Sequence, residues 1–124
     1  MADISGTWLG TYWQASEPTR FEATLIQSGN DLSGRILDDG MLGEAQINGE
    51  VVGRSIGFVK RYLTTSVVPV RYEGTISEDE SFMQGSWTIA GSASGNWEAH
   101  RGGDNLMAEL KNTVQKTVSL VGSR

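Results

Sequence analysis

Apolar and polar side chains alternate with a period of two along most of this chain, in short runs set apart by Gly, Asn, Asp and Ser. Successive strand side chains point to opposite faces, so such alternation predicts β-strands with one buried and one solvated side. Eight runs qualify: residues 4–14, 19–28, 32–38, 44–51, 55–63, 67–76, 81–90 and 95–101. In the first, Ile4, Gly6, Trp8, Gly10 and Tyr12 share one side, opposite Ser5, Thr7, Leu9, Thr11 and Trp13. Later runs carry an apolar side through Phe21, Ala23 and Leu25; Ala45, Ile47 and Val51; and Ile56, Phe58, Lys60 and Tyr62. It continues through Val68, Val70, Tyr72 and Ile76; Met83, Trp87 and Ile89; and Trp97, Ala99 and Arg101. Between the runs, residues 15–18 read as a loop, 28–31 as a hairpin turn, and Asp39-Gly40 as a strand break. The acidic stretch 77–80 lacks the ligand spacing of a calcium loop and reads as a solvated hairpin tip.

Eight short strands joined in order by turns predict an all-β fold, an antiparallel up-and-down barrel over residues 4–101. Seven of the eight runs contain a glycine, which a flat sheet would not favour but which suits strands that coil and close on themselves. An eight-stranded interior is either filled by side chains or holds one small ligand. Past Gly102-Gly103 the period changes. Asp104 can cap a helix, and Met107, Leu110, Val114, Val118 and Val121 recur at spacings of three and four, predicting a C-terminal helix over residues 104–121. Its apolar stripe needs cover from its own barrel wall, the barrel mouth or a second subunit. The 124 residues make one domain by length.

Charge and composition narrow the partners. A formal net charge of −5 without any Lys/Arg cluster argues against nucleic acid and against an anionic membrane surface. With no cysteine, neither disulfides nor thiolate metal sites are available. No apolar run approaches the ~20 residues of a membrane-spanning helix. The acidic opening Met1-Ala2-Asp3 has no signal-peptide character, so a cytoplasmic location is expected. His100 is the single histidine and by parity faces outward beside Glu98, which removes Ser–His–Asp catalysis and leaves no set of metal or haem ligands. No phosphate loop or metal-spaced carboxylates occur, and no cofactor or metal is expected. On the outer side Leu9, Trp13, Ile26, Val59, Leu63 and Val67 predict a homo-oligomer, a dimer or tetramer, formed with help from the helix.

Gly6-Thr7-Trp8 on the first strand and Arg101 on the last resemble the signature of the calycin superfamily, in which a first-strand Gly-x-Trp packs beneath a basic residue. An arginine over an indole face makes a cation–π plug, so Trp8 and Arg101 are expected to close one barrel end. Within that superfamily residues 4–105 are similar to the avidin/streptavidin group, through Ile4-Ser5-Gly6-Thr7-Trp8, Leu32-Ser33-Gly34, Tyr72-Glu73-Gly74, Trp87 and the segment Trp97–Gly103. The resemblance implies an aromatic box of Tyr62, Tyr72 and Trp87, and a Trp97 donated to a neighbouring subunit. The chain departs from that group where biotin is held: Gly10 replaces an asparagine, Gln14 lies near a lost serine, Ile36 replaces a tyrosine, Asp38 a serine, and Val68 and Val70 two hydroxyl residues. Each hydrogen bond left unmade to a buried ureido group costs roughly 1–3 kcal/mol, so tight biotin binding is not expected.

The candidate ligand-binding residues are Tyr12, Asp38, Phe58, Lys60, Tyr62, Tyr72, Trp87 and Trp97. Buried phenols need polar partners, so three tyrosines converging inside a barrel imply water or a polar ligand among them. Lys60 either faces inward, where it needs Asp38, a phenol or a bound anion, or is turned outward by a β-bulge. These readings lead to a barrel that binds a small, largely apolar molecule, anionic if Lys60 calls for it, without performing chemistry. Two alternatives stay open: an isomerase- or cyclase-type enzyme using Tyr12, Tyr62 or Lys60, and an interaction module with a filled barrel.

Overall fold

A computed structural model describes residues 3–66 and 68–102, and within them all eight expected strands form. They are Gly6–Gln14 (β1), Glu17–Ser28 (β2), Asp31–Asp38 (β3), Glu44–Val52 (β4), Ser55–Tyr62 (β5), Val70–Ile76 (β6), Phe82–Ile89 (β7) and Ala93–Arg101 (β8). Each pairs antiparallel with the next, and β8 returns to β1, so the sheet is a closed up-and-down barrel. Closure leaves no edge strand exposed. The alternation read from the sequence sets the faces: Ile4, Trp8, Phe21, Leu25, Ile36, Ile47, Val51, Phe58, Tyr72, Trp87 and Trp97 are buried in one continuous core. No helix among the described residues is long and apolar enough to cross a membrane. The helix expected over residues 104–121 lies outside the described residues.

Most strand boundaries shift by one to three residues from the expectation, and three of the shifts have a clear local cause. The stretch 15–18 is not a loop: Gln14 pairs with Glu17, leaving Ala15 and Ser16 as a two-residue turn with φ of 49° and 70°. Positive φ at both centres is the twist-matched hairpin geometry, here adopted without glycine. The sixth strand begins at Val70 rather than at residue 67. Pro69 has no N–H to give a ladder, so pairing starts only after it and Val68 sits exposed in the β5–β6 connection instead of on the inner face. The eighth strand starts two residues early, since Ala93 pairs with Ile89 across a turn in which Gly91 takes φ of 70°.

The two ends of the barrel are built differently. At one, the Arg101 guanidinium carbon stands 4.7 Å from the Trp8 ring centroid. Its nitrogens donate to the carbonyl oxygens of Glu80 (2.9 Å), Ser5 (2.9 Å) and Asp3 (2.8 Å). Trp8, fully buried, donates its Nε1 proton to the Ile4 carbonyl at 2.9 Å. One planar cation thus ties the chain's start, the last strand and the β6–β7 turn over an indole. At the other end residues 39–43, 63–66 and 68–69 frame a mouth, joined where the Thr65 hydroxyl donates to the Leu42 carbonyl at 2.6 Å. Met41, Leu42, Leu63 and Val68 are exposed around it.

Candidate functional site

Below the mouth, β1 and β5 bring three polar side chains to the Asp38 carboxylate at the end of β3, and β6 brings Tyr72 to one of them, Lys60. Asp38 ends β3, where the chain turns: its N–H donates to the Gly43 carbonyl at 3.0 Å, and the N–H of Asp39 to the Arg20 carbonyl at 2.7 Å. Inner-face parity on β5 points Lys60 inward, with no bulge: it pairs with Ile47 on one side and Val70 on the other. Its Nζ donates to Asp38 Oδ1 at 2.8 Å and to Oδ2 at 3.0 Å, with a longer contact of 3.5 Å to the Tyr72 hydroxyl. The hydroxyls of Tyr12 and Tyr62 donate to Oδ2 at 2.9 and 2.6 Å. Lys60 is 0 % exposed and Asp38 4 %. Two ions held this far from water are tolerable because each is the other's partner and every remaining lone pair or proton has work. The ammonium also lies 4.7 Å from the ring centroids of Tyr12 and Tyr62 and 5.6 Å from that of Tyr72.

The proton inventory is specific. Lys60 gives its three protons to Asp38 and Tyr72, and Tyr12 and Tyr62 give theirs to Asp38. The Tyr72 hydroxyl accepts from Lys60, and its own proton goes to no acceptor among the described residues. Burial, and then the neighbouring Asp38, push all three phenols above the usual tyrosine range, Tyr62 and Tyr72 strongly. Burial pulls Lys60 below the usual lysine range, against the opposing pull of Asp38. These phenols therefore keep their protons at neutral pH and serve as hydrogen-bond donors.

Above the cluster lies a cavity of about 90 Å³, lined by Tyr12, Gln14, Leu42, Tyr62, Ser66, Val68, Val70, Tyr72, Trp87 and Ile89. Of the eight candidates, Tyr12, Tyr62, Tyr72 and Trp87 line it. Asp38 and Lys60 do not; they are buried with the tyrosines they bond. Phe58 and Trp97 form a packed layer instead: Phe58 stacks on Tyr72 at 4.8 Å and 13°, and Trp97 meets Tyr72 edge-on at 5.6 Å. Trp97 is 2 % exposed within its own barrel and donates its Nε1 proton to the Glu73 carbonyl at 3.1 Å, so its indole is held in its own core. Trp87 is fixed by an Nε1 bond to the Trp13 carbonyl at 3.0 Å and meets Tyr12 edge-on. Leu42 and Ser66 come from loops and escaped the strand-parity argument. The Met41-Leu42 pair between Gly40 and Gly43 was the available signal, an apolar pair where a turn should be polar.

His100 is exposed, its ring 4.8 Å from that of Phe82. Among the described residues, no group of three or more His, Asp or Glu is placed to hold a metal ion. No family model matches the chain, and no curated protein matches it in sequence.

Proposed function

We propose that this barrel binds one small, uncharged, largely apolar molecule at its open end and performs no chemistry on it. The observation that carries the proposal is the cavity of about 90 Å³ lying over a tyrosine floor whose Tyr72 proton is taken by no acceptor among the described residues. An anionic ligand, one of the sequence expectations, loses its rationale here because Asp38 already answers the Lys60 charge. Val68, Val70, Ile89, Leu42 and Trp87 suit an apolar body, and the Tyr72 hydroxyl suits a carbonyl or ether oxygen. Ligand pockets usually span ~300–1,000 Å³, so the space takes a compact group, the end of a ligand whose remainder emerges past Leu42 and Val68.

Kinship with the calycins belongs to this proposal and is supported by the Arg101–Trp8 plug at the opposite end. Tight biotin binding does not: Ile36 and Val70 are buried apolar residues at positions where a ureido group would need hydroxyls. Raised phenols and an ion-paired lysine also supply no group poised for acid–base turnover. Assembly into a dimer or tetramer is part of this proposal and rests on the outer side, where Ile26 and Leu63 are exposed and Leu9, Trp13 and Val59 half-buried, while Val67 lies outside the described residues.

Native mass spectrometry of freshly purified protein tests ligand and subunit number together. A retained neutral mass, lost in Tyr72→Phe or weakened about tenfold, supports the proposal, since one hydrogen bond in a buried site carries roughly 1–1.5 kcal/mol. Absence of any retained mass, together with no thermal stabilisation by a panel of small ketones, lactones and ethers, would instead leave a filled interaction module.

A further inference from the structure

The outer wall of β6, β7, β8 and β1 carries a second concavity, about 1190 Å³, lined in part by Trp13, Glu73, Thr75, Gln84, Asn96 and Glu98. It exists because glycines occupy the inner positions behind it. Gly74 pairs with Gly85, and a methyl on Gly85 would overlap the Glu73 carbonyl, so the strands approach too closely for any other residue and the wall is drawn inward. Register sets the outward side chains in two rows. Thr75, Gln84, Glu98 and Thr11 form one, and Glu73, Ser86 and Asn96 the next, with Trp13 beside its end. Three interstrand spacings of ~4.8 Å make the first row about 14 Å long, and two make the second about 10 Å.

The chemistry of this lining is one-sided. It holds two carboxylates and no Lys, Arg or His. Glu73 shares its carboxylate with Arg71 at 3.0 Å. Glu98 is half-buried and has no basic partner among the described residues, and the amides of Gln84 and Asn96 have no protein partner there. Trp13, also half-buried, is the diagonal neighbour of Glu98 across the strand pair, a relation that spans ~7–8 Å and lies within reach of an aromatic ring.

We propose that this groove binds a small organic cation, with a guanidinium group held between the Glu98 carboxylate and the Trp13 ring and its tail lying along Gln84 and Asn96. A guanidinium matches both walls: its planar fork fits a carboxylate and its face stacks on an indole. The net charge of −5 favours a cation at long range, and an anion would meet Glu98 and Glu73. The site is at the outer wall and independent of the mouth cavity.

Titration of isotope-labelled protein with arginine amide, followed by amide chemical shifts, tests it. The signals of residues 73–75, 84–86 and 96–98 and the Trp13 indole are expected to move, less so as salt is raised. Glu98→Gln should weaken binding about tenfold or more, Trp13→Leu about 2–5-fold, and Glu50→Gln, an exposed carboxylate on β4, not at all. Citrulline amide, the uncharged isostere, should leave these signals in place. Equal binding of citrulline amide, no response to either probe, or concentration-dependent shifts showing that a second copy covers this face would each overturn the proposal. If Trp13→Leu does not fold, Glu98→Gln decides alone.

Discussion

Asp38 Oδ2 accepts from three side chains at once, so removing one member of the cluster exposes the others to an unmet demand. Lys60→Met leaves a buried carboxylate with two phenols, and Asp38→Asn leaves a buried ammonium without counter-charge. Each is expected to cost about 3–5 kcal/mol by urea unfolding. The double variant Asp38→Asn/Lys60→Met keeps an oxygen for the two phenols and should recover much of that loss, a coupling readable from the cycle. The chain's three tyrosines all belong to this cluster, so ultraviolet titration reports on nothing else. Each phenol has a raised pKa in the folded state, so its contribution is fully present below the ordinary tyrosine value near 10.0 and is lost as pH rises beyond it. Lys60 has the opposite sign: lowered when folded, it binds fewer protons there, and stability rises toward the ordinary lysine value of 10.5. Stability should therefore climb on the alkaline side to about pH 10 and then fall steeply. Phenolate absorbance should appear together with unfolding, and gradual ionisation of the folded protein near pH 10 would contradict the cluster.

At the scale of strands and turns, the inner and outer faces were legible because parity is a local property that burial enforces. Trp8, Tyr12, Phe58 and Tyr72 lie where alternation puts them, and the Asp38–Lys60 pairing followed from the same rule once no bulge intervened. The boundaries were less legible because they depend on single residues that override a pattern. Pro69 ends pairing that Val68 and Val70 suggest, and Ala15-Ser16 adopts a turn whose usual signal is Gly or Asn. The cavity was only half legible, since Leu42, Ser66 and Val68 reach it through loop geometry that no periodicity encodes. Glycines separate the same way. A methyl at Gly49 would overlap the Gly57 carbonyl, whereas at Gly57 its nearest neighbour would be the Tyr72 carbonyl at 3.8 Å, an ordinary contact. Gly49→Ala should destabilise by about 1–3 kcal/mol or more, and Gly57→Ala should stay within about 1 kcal/mol, by thermal or urea unfolding.

The described residues form a cylinder sealed at one end, and the seal depends on a single side chain reaching three carbonyls. Arg101→Lys keeps the charge but loses the fork, and should raise hydrogen exchange at Gly6–Trp8 and in residues 98–101 far more than around the mouth. Uniform acceleration would mean that the plug stabilises the molecule only globally. The seam between first and last strands is the shorter join: it pairs five residues, Trp8–Tyr12 with Trp97–Arg101, against nine between β1 and β2. Every other pairing links neighbours in sequence and forms as a hairpin, while this one must bring together the two far ends of the described chain. The order of assembly follows. Hairpins can zip one after another at low entropic cost, and ring closure comes last, after the rising side of the kinetic barrier. Conservative truncations at Thr11 should then speed unfolding and leave the refolding rate almost unchanged, which makes the seam the place where the cylinder's lifetime, rather than its rate of formation, is decided.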